Sequence, residues 1–172
     1  MVIIILQRLL WMVALVAAQL MVFNHVHLLG YATPLPYVYL LLMLPMGSTR
    51  WAILLWGFAC GLLCDVVSTT PGIGAAAMTL TAFVQPLVLQ TMAPKDTVED
   101  LQPSYSTMGV TTYFTYAAVL TLLFTTTYFL LLSFNFFHLL DFGIALVSSW
   151  LFTYLICLGF EALRDKRSHG RL

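Results

Sequence analysis

Asp65 is the residue whose chemistry fits its surroundings least. It is the only acidic residue within the first five of six long hydrophobic segments. A carboxylate inside a membrane segment is costly and indicates a functional site by default. A structural acceptor, a contact to a partner or ligand, and a proton relay all stay open. We favour the structural role, because Asp65 ends its segment, where Ser68, Thr69 and the amides opening the next helix can donate to it. This role predicts that Asp65→Asn keeps much of the assembly and Asp65→Leu keeps less.

Two glycines precede Asp65 on the same predicted helix face. Gly57, Gly61 and Asp65 are spaced four residues apart, and residues at that spacing lie one above the other on a helix. The Gly-x-x-x-Gly pattern lets a second helix approach closely, which predicts a packing seam or a partner contact. In the next segment, Gly72 and Gly74 precede three alanines, which predicts a close turn and a tightly packed helix entry. Neither phosphate-binding glycine motif has this spacing, so packing is favoured over an anion site.

The cysteines and histidines are the candidate metal ligands of this chain. Cys60 and Cys64 share a helix face, too far apart for a comfortable disulfide and without two further ligands. His25 and His27 are two residues apart, so neither a strand nor a helix presents both on one face. We therefore predict packing roles for the cysteines, no metal site and no cofactor.

The longest predicted connection, residues 93–107, is acidic. It contains Asp96, Glu99 and Asp100. A solvated cytoplasmic turn is the favoured interpretation, and a docking site for a cytoplasmic partner is the alternative.

Glu161, Arg164 and Asp165 lie at the inner end of the last hydrophobic segment. Side-chain pairs at i,i+3 and i,i+4 spacing are ordinary at such a membrane interface. We expect no second acid inside the membrane to accompany Asp65. The chain also has no nucleophile elbow, zinc-protease helix or phosphate loop, so we do not expect an enzyme.

The amino-acid composition indicates that these segments face lipid. The chain is 61% hydrophobic and only 8% charged, whereas soluble domains carry about 25% charged residues. Net charge is zero, and a basic surface for nucleic acid is absent. We predict an all-α polytopic membrane protein, one integral domain over residues 1–172, with a bundle of about six transmembrane helices. The segments are approximately residues 9–29, 36–46, 51–67, 73–92, 108–132 and 139–160.

The second segment and the basic residues decide the expected topology. Residues 36–46 are too few for a full helical crossing, so this segment either begins near Tyr31 or packs as a half-helix inside the bundle, with Pro36 in its first turn. With six crossings and a cytoplasmic N-terminus, every basic residue falls on the cytoplasmic side. We therefore expect both termini to be cytoplasmic. The basic residues are Arg8, Arg50, Lys95, Arg164, Lys166, Arg167 and Arg171.

Together, these features resemble the rod shape-determining MreD family. The likeness covers nearly the whole length, through the hydrophobic segments and the stretches 23–34, 57–65, 71–77 and 94–100. The glycine-rich helix that ends in Asp65, followed by a Gly/Ala helix entry, is the most recognisable part.

The resemblance implies a non-enzymatic component of the machinery that elongates the bacterial cell wall and maintains rod shape, in the cytoplasmic (inner) membrane. Its implied partners are the scaffold protein MreC and, through it, actin-like filaments and the peptidoglycan synthase, a membrane glycosyltransferase with a penicillin-binding transpeptidase. The family also resembles the substrate-binding subunits of energy-coupling-factor transporters, which are six-helix bundles. A small-molecule-binding subunit of a vitamin-type transporter is therefore the alternative function, and it predicts a polar cavity open to the outside.

Overall fold

A computed structural model describes residues 2–19, 33–45, 47–68, 70, 72–92, 102–132 and 139–169. These residues form helices and their connections, with no strand among them. The helices are α1 (Val2–Ala18), α2 (Tyr39–Leu42), α3 (Arg50–Ser68), α4 (Ile73–Met92), α5 (Tyr105–Met108), α6 (Val110–Leu132) and α7 (Leu139–His169). The all-α prediction is confirmed.

The helix boundaries follow the hydrophobic segments closely, except near the chain termini. The fourth segment coincides with α4, and the third and fifth match α3 and α6 within two residues. Helix α1 begins at Val2, not at Leu9 as predicted, because the apolar residues before Leu9 continue the helix without a breaker. Helix α7 continues to His169, since its charged last residues include neither proline nor glycine.

Several helices carry the length and composition of membrane spans. Among the described residues, three helical stretches are long and apolar enough to cross a bilayer: Ile73–Met92, Val110–Leu132 and Phe142–Arg164. A shorter apolar stretch runs over Ile5–Ala18. Large apolar side chains remain exposed on these helices, for example Phe83 at 62% and Ile144 at 59%. Such surfaces need lipid or a partner, as expected for a membrane protein.

The second segment is buried, and its helical part is short. Pro36 begins a 3-10 turn that ends at Val38 and leads directly into the single turn of α2. Every residue from Leu35 to Leu44 is less than 9% exposed. Of the two predicted alternatives, packing inside the bundle is confirmed. Irregular backbone at such depth requires polar partners.

Hydroxyl groups of α7 supply two of those partners. The backbone N–H of Thr33 donates to Ser149 Oγ at 2.9 Å, and the N–H of Leu35 donates to Thr153 Oγ1 at 3.0 Å. Both acceptors lie one helical turn apart on α7, so they hold the extended start of the segment against one face of that helix.

Contacts at the two ends of the bundle show that consecutive long segments alternate in direction. Arg8, early in α1, contacts Ser48, whereas Gln19 contacts Pro34, so α1 runs antiparallel to the buried segment. Tyr113, early in α6, contacts Glu161, late in α7, so these helices are antiparallel as well. We call the two extremities the Glu161 end and the Asp65 end, after the acid buried near each.

Candidate functional site

The α3–α4 crossing is as close as the glycine spacing predicted. A Cβ added at Gly61 would lie 2.6 Å from Ala75 Cα, and one added at Gly57 would lie 2.9 Å from Ala82 Cβ. Distances below 3.0 Å are not tolerated without movement. Because the obstacle at Gly61 is backbone, α3 and α4 would have to separate to accept a larger residue there. The predicted packing seam is therefore present, and it joins α3 to α4.

Asp65 closes this crossing by capping α4. Its Oδ1 accepts from the backbone N–H of Gly74 at 2.8 Å and from Thr70 Oγ1 at 2.9 Å, and its Oδ2 accepts from the N–H of Ala75 at 2.8 Å. The side chain is 5% exposed. A carboxylate at the positive end of the α4 dipole is stabilised, which offsets its unfavourable place in the last turn of α3. The predicted bonds to the opening amides of α4 are confirmed.

The two glycines of the turn have different surroundings. Gly74 is buried, and a Cβ there would lie 2.6 Å from Asp65 Oδ1 and 3.1 Å from the Tyr37 hydroxyl. Gly72 has a φ of +78° and open space around its Cα, so conformation, not contact, requires glycine at this position. Gly74 thus permits the capping contact, and Gly72 permits the turn that delivers it.

A second acid is buried at the opposite end, and the sequence interpretation missed it. Glu161 is 0% exposed. Its Oε2 accepts from the hydroxyls of Tyr39 at 2.8 Å and Tyr113 at 3.2 Å, and its Oε1 pairs with Arg164 Nη2 at 2.9 Å. The i,i+3 pair with Arg164 is confirmed, and the burial of its carboxylate among other elements is the feature that the sequence did not predict. The tyrosines arrive from two other elements, so neighbouring residues in sequence gave no signal for this cluster.

The segment before α6 covers the Glu161 cluster. Arg164 also donates to the carbonyl of Pro103, and the Tyr105 hydroxyl donates to the carbonyl of Leu158 at 2.9 Å. Buried charges are tolerated when they are paired and hydrogen-bonded in this way. The cluster therefore joins the buried segment, α5, α6 and α7 at one end of the bundle.

The remaining predicted residues fall into two groups. Cys60, Cys64 and Cys157 are buried free thiols, in agreement with packing roles, and no group of three potential metal ligands occurs in the described part of the chain. The acidic loop with Asp96, Glu99 and Asp100, like His25 and His27, lies outside the described residues.

An apolar groove of about 610 Å³ runs along the outside of the α3–α4 pair. We call it the outer groove. Ala75, at its base, is buried, whereas Phe58, Leu62, Leu80 and Phe83 are 44–62% exposed. Its full lining is Leu54, Phe58, Leu62, Gly72, Ala75, Ala76, Thr79, Leu80 and Phe83. A groove with small residues at its base and large apolar residues at its rims can receive a helix side chain or an acyl chain.

The chain matched no family model, no curated protein and no solved structure.

Proposed function

We propose that this chain is a non-enzymatic membrane component of the bacterial cell-wall elongation machinery. In this role it binds the bitopic scaffold MreC through its lipid-embedded surface and supports the peptidoglycan synthase complex. It crosses the inner membrane six times with both termini cytoplasmic. The alternating direction of the long segments supports this topology, because Arg8, Arg50 and Arg164 then lie together at the Glu161 end.

The outer groove carries the proposal. The seam at Gly57 and Gly61 and the cap at Asp65 fix α3 against α4, so the groove has a rigid base. Rigid surfaces bind with a smaller loss of conformational entropy than flexible ones. Its exposed Phe and Leu side chains flank small residues of α4, which is the form that transmembrane helix contacts favour. A single transmembrane helix of a bitopic scaffold fits such a surface.

The alternative, a small-molecule-binding subunit of a vitamin-type transporter, receives less support. That function predicts a polar cavity open to the outside. Here the buried segment occupies the interior, where Val38, Tyr39, Leu40, Leu41 and Leu42 are each 0% exposed. A ligand could enter this space only if the segment left it, which would break the hydrogen bonds to α7.

Site-specific photo-crosslinking in native bacterial membranes tests the proposal. A photoreactive residue replaces Leu62 in the outer groove, and the matched control replaces Leu151, an exposed leucine of α7. We expect a crosslink to the MreC scaffold from position 62 and a much weaker one from position 151. A crosslink to a transporter ATPase would favour the alternative. Equal capture of the scaffold from both positions, or capture of lipid alone, would reject the groove as the partner surface.

A further inference from the structure

Arg8 occupies an unusual position in α1. The side chains of Ile5, Leu6, Leu9 and Leu10 are 47%, 63%, 45% and 66% exposed, so apolar surface surrounds the helix both before and after Arg8. A helix that exposes apolar side chains on all sides is compatible with lipid and not with water. The Arg8 guanidinium therefore lies beside apolar surface that suits contact with lipid.

The protein only partly compensates the charge of Arg8. Its Nη2 donates to Ser48 Oγ at 3.4 Å, a long bond to a neutral group. Within the described ranges, the ion pair is made by Arg164 with Glu161, and no acidic side chain pairs with Arg8. A cation at membrane depth normally has a counter-charge, and a guanidinium with five N–H donors retains most of its hydrogen-bonding capacity after one bond to a hydroxyl.

A second cation lies close in sequence to the group that holds Arg8. Arg50 follows Ser48 by two residues, begins α3 and is exposed. The first turn of α3 contains no acidic residue. Two arginines on different helices therefore lie at the same end of the bundle, where their positive charge favours an anion at the membrane surface.

We propose that Arg8, positioned by Ser48 and assisted by Arg50, binds the phosphate group of an anionic phospholipid in the leaflet at the Glu161 end. The planar guanidinium binds two phosphate oxygens at once. A phospholipid also explains the apolar surroundings, because its acyl chains cover the exposed leucines and isoleucine beside Arg8. This site is independent of the proposed scaffold function.

Lipid retention measured by native mass spectrometry tests the site. The full chain is purified in mixed micelles that contain phosphatidylglycerol and phosphatidylcholine, and the phosphatidylglycerol that remains bound is counted. Arg8→Gln should reduce this retention about tenfold, the effect of losing one charge-assisted contact. Gln7→Ala, which changes an exposed neighbour on the same helix, is the matched control and should retain the lipid.

Two further measurements identify the anion and check that the variant remains folded. Inorganic phosphate should displace little of the bound phosphatidylglycerol. If inorganic phosphate instead bound with an affinity similar to that of the lipid, the site would be one for a soluble phosphate and the lipid assignment would be wrong. Arg8→Lys keeps the charge and should lose several-fold in retention with unchanged helical content by circular dichroism. Equal retention by the wild type and both Arg8 variants, or equal binding of both phospholipids by the wild type, would overturn the proposal.

Discussion

The hydrogen bonds by which Asp65 caps α4 predict different losses of stability for two substitutions of this residue. Both carboxylate oxygens accept hydrogen bonds: Oδ1 from Gly74 N–H and the Thr70 hydroxyl, and Oδ2 from Ala75 N–H. Asparagine has a single acceptor oxygen. In Asp65→Asn, that oxygen can keep the bonds to Gly74 and Thr70, but the amide NH2 then faces the N–H of Ala75.

The magnitudes follow from this count of donors. One buried N–H without an acceptor costs about 1–3 kcal/mol, and loss of the negative charge at the α4 N-terminus adds about 0.3–1 kcal/mol. Asp65→Leu leaves the buried N–H groups of Gly74 and Ala75 without their acceptor, which should cost about 2–6 kcal/mol on the same scale, and it also removes the acceptor of the partly buried Thr70 hydroxyl. The expectation from sequence, that asparagine keeps much of the assembly, is therefore revised to an intermediate loss.

Unfolding of the purified full-length chain by titration with a denaturing detergent measures this order. We expect the free energy of unfolding to fall from wild type to Asp65→Asn and further to Asp65→Leu. Thr70→Val removes the hydroxyl donor while both backbone donors remain, so it is the matched control and should cost about 1 kcal/mol or less. Wild-type stability in Asp65→Asn would refute the two-oxygen cap. Equal loss in both Asp65 variants would show that the negative charge itself is required.

Three other measurements test separate parts of the structure. Gly61→Leu should force α3 away from α4, cost about 1–3 kcal/mol by overpacking and lower the yield of folded protein. The control Gly159→Leu changes a glycine with open space beside it and should leave this yield unchanged. Equal yields for the two variants would show that the seam faces lipid. Glu161→Gln leaves the largely buried Arg164 without its counter-charge and should lower the free energy of unfolding by about 3 kcal/mol; an unchanged detergent titration would contradict the buried pair. In a cysteine-free background, an impermeant thiol reagent added outside intact cells should label a cysteine at position 33 and not one at position 168; equal labelling would reject the six-crossing topology.

The sequence by itself determined the long helices α3, α4 and α6 and the α3–α4 crossing. Hydrophobic runs of about 20 residues are read directly as helices because lipid requires internally bonded backbone, and α4 was predicted with the observed bounds. Gly57, Gly61, Asp65 and Gly74 were identified because their effects are local: they lie on consecutive helices joined by a short turn, so spacing alone brings them together.

Only the tertiary structure decided the burial of Glu161 and the path of the second segment. Glu161 meets Tyr39 across 122 positions and Tyr113 across 48, and the N–H groups of Thr33 and Leu35 find their acceptors across 116 and 118 positions. A carboxylate at a helix end and a short proline-containing segment are each compatible with water or with the bundle interior. Distant hydroxyl groups decide between those environments, because polar groups can be buried only where partners from other helices meet them.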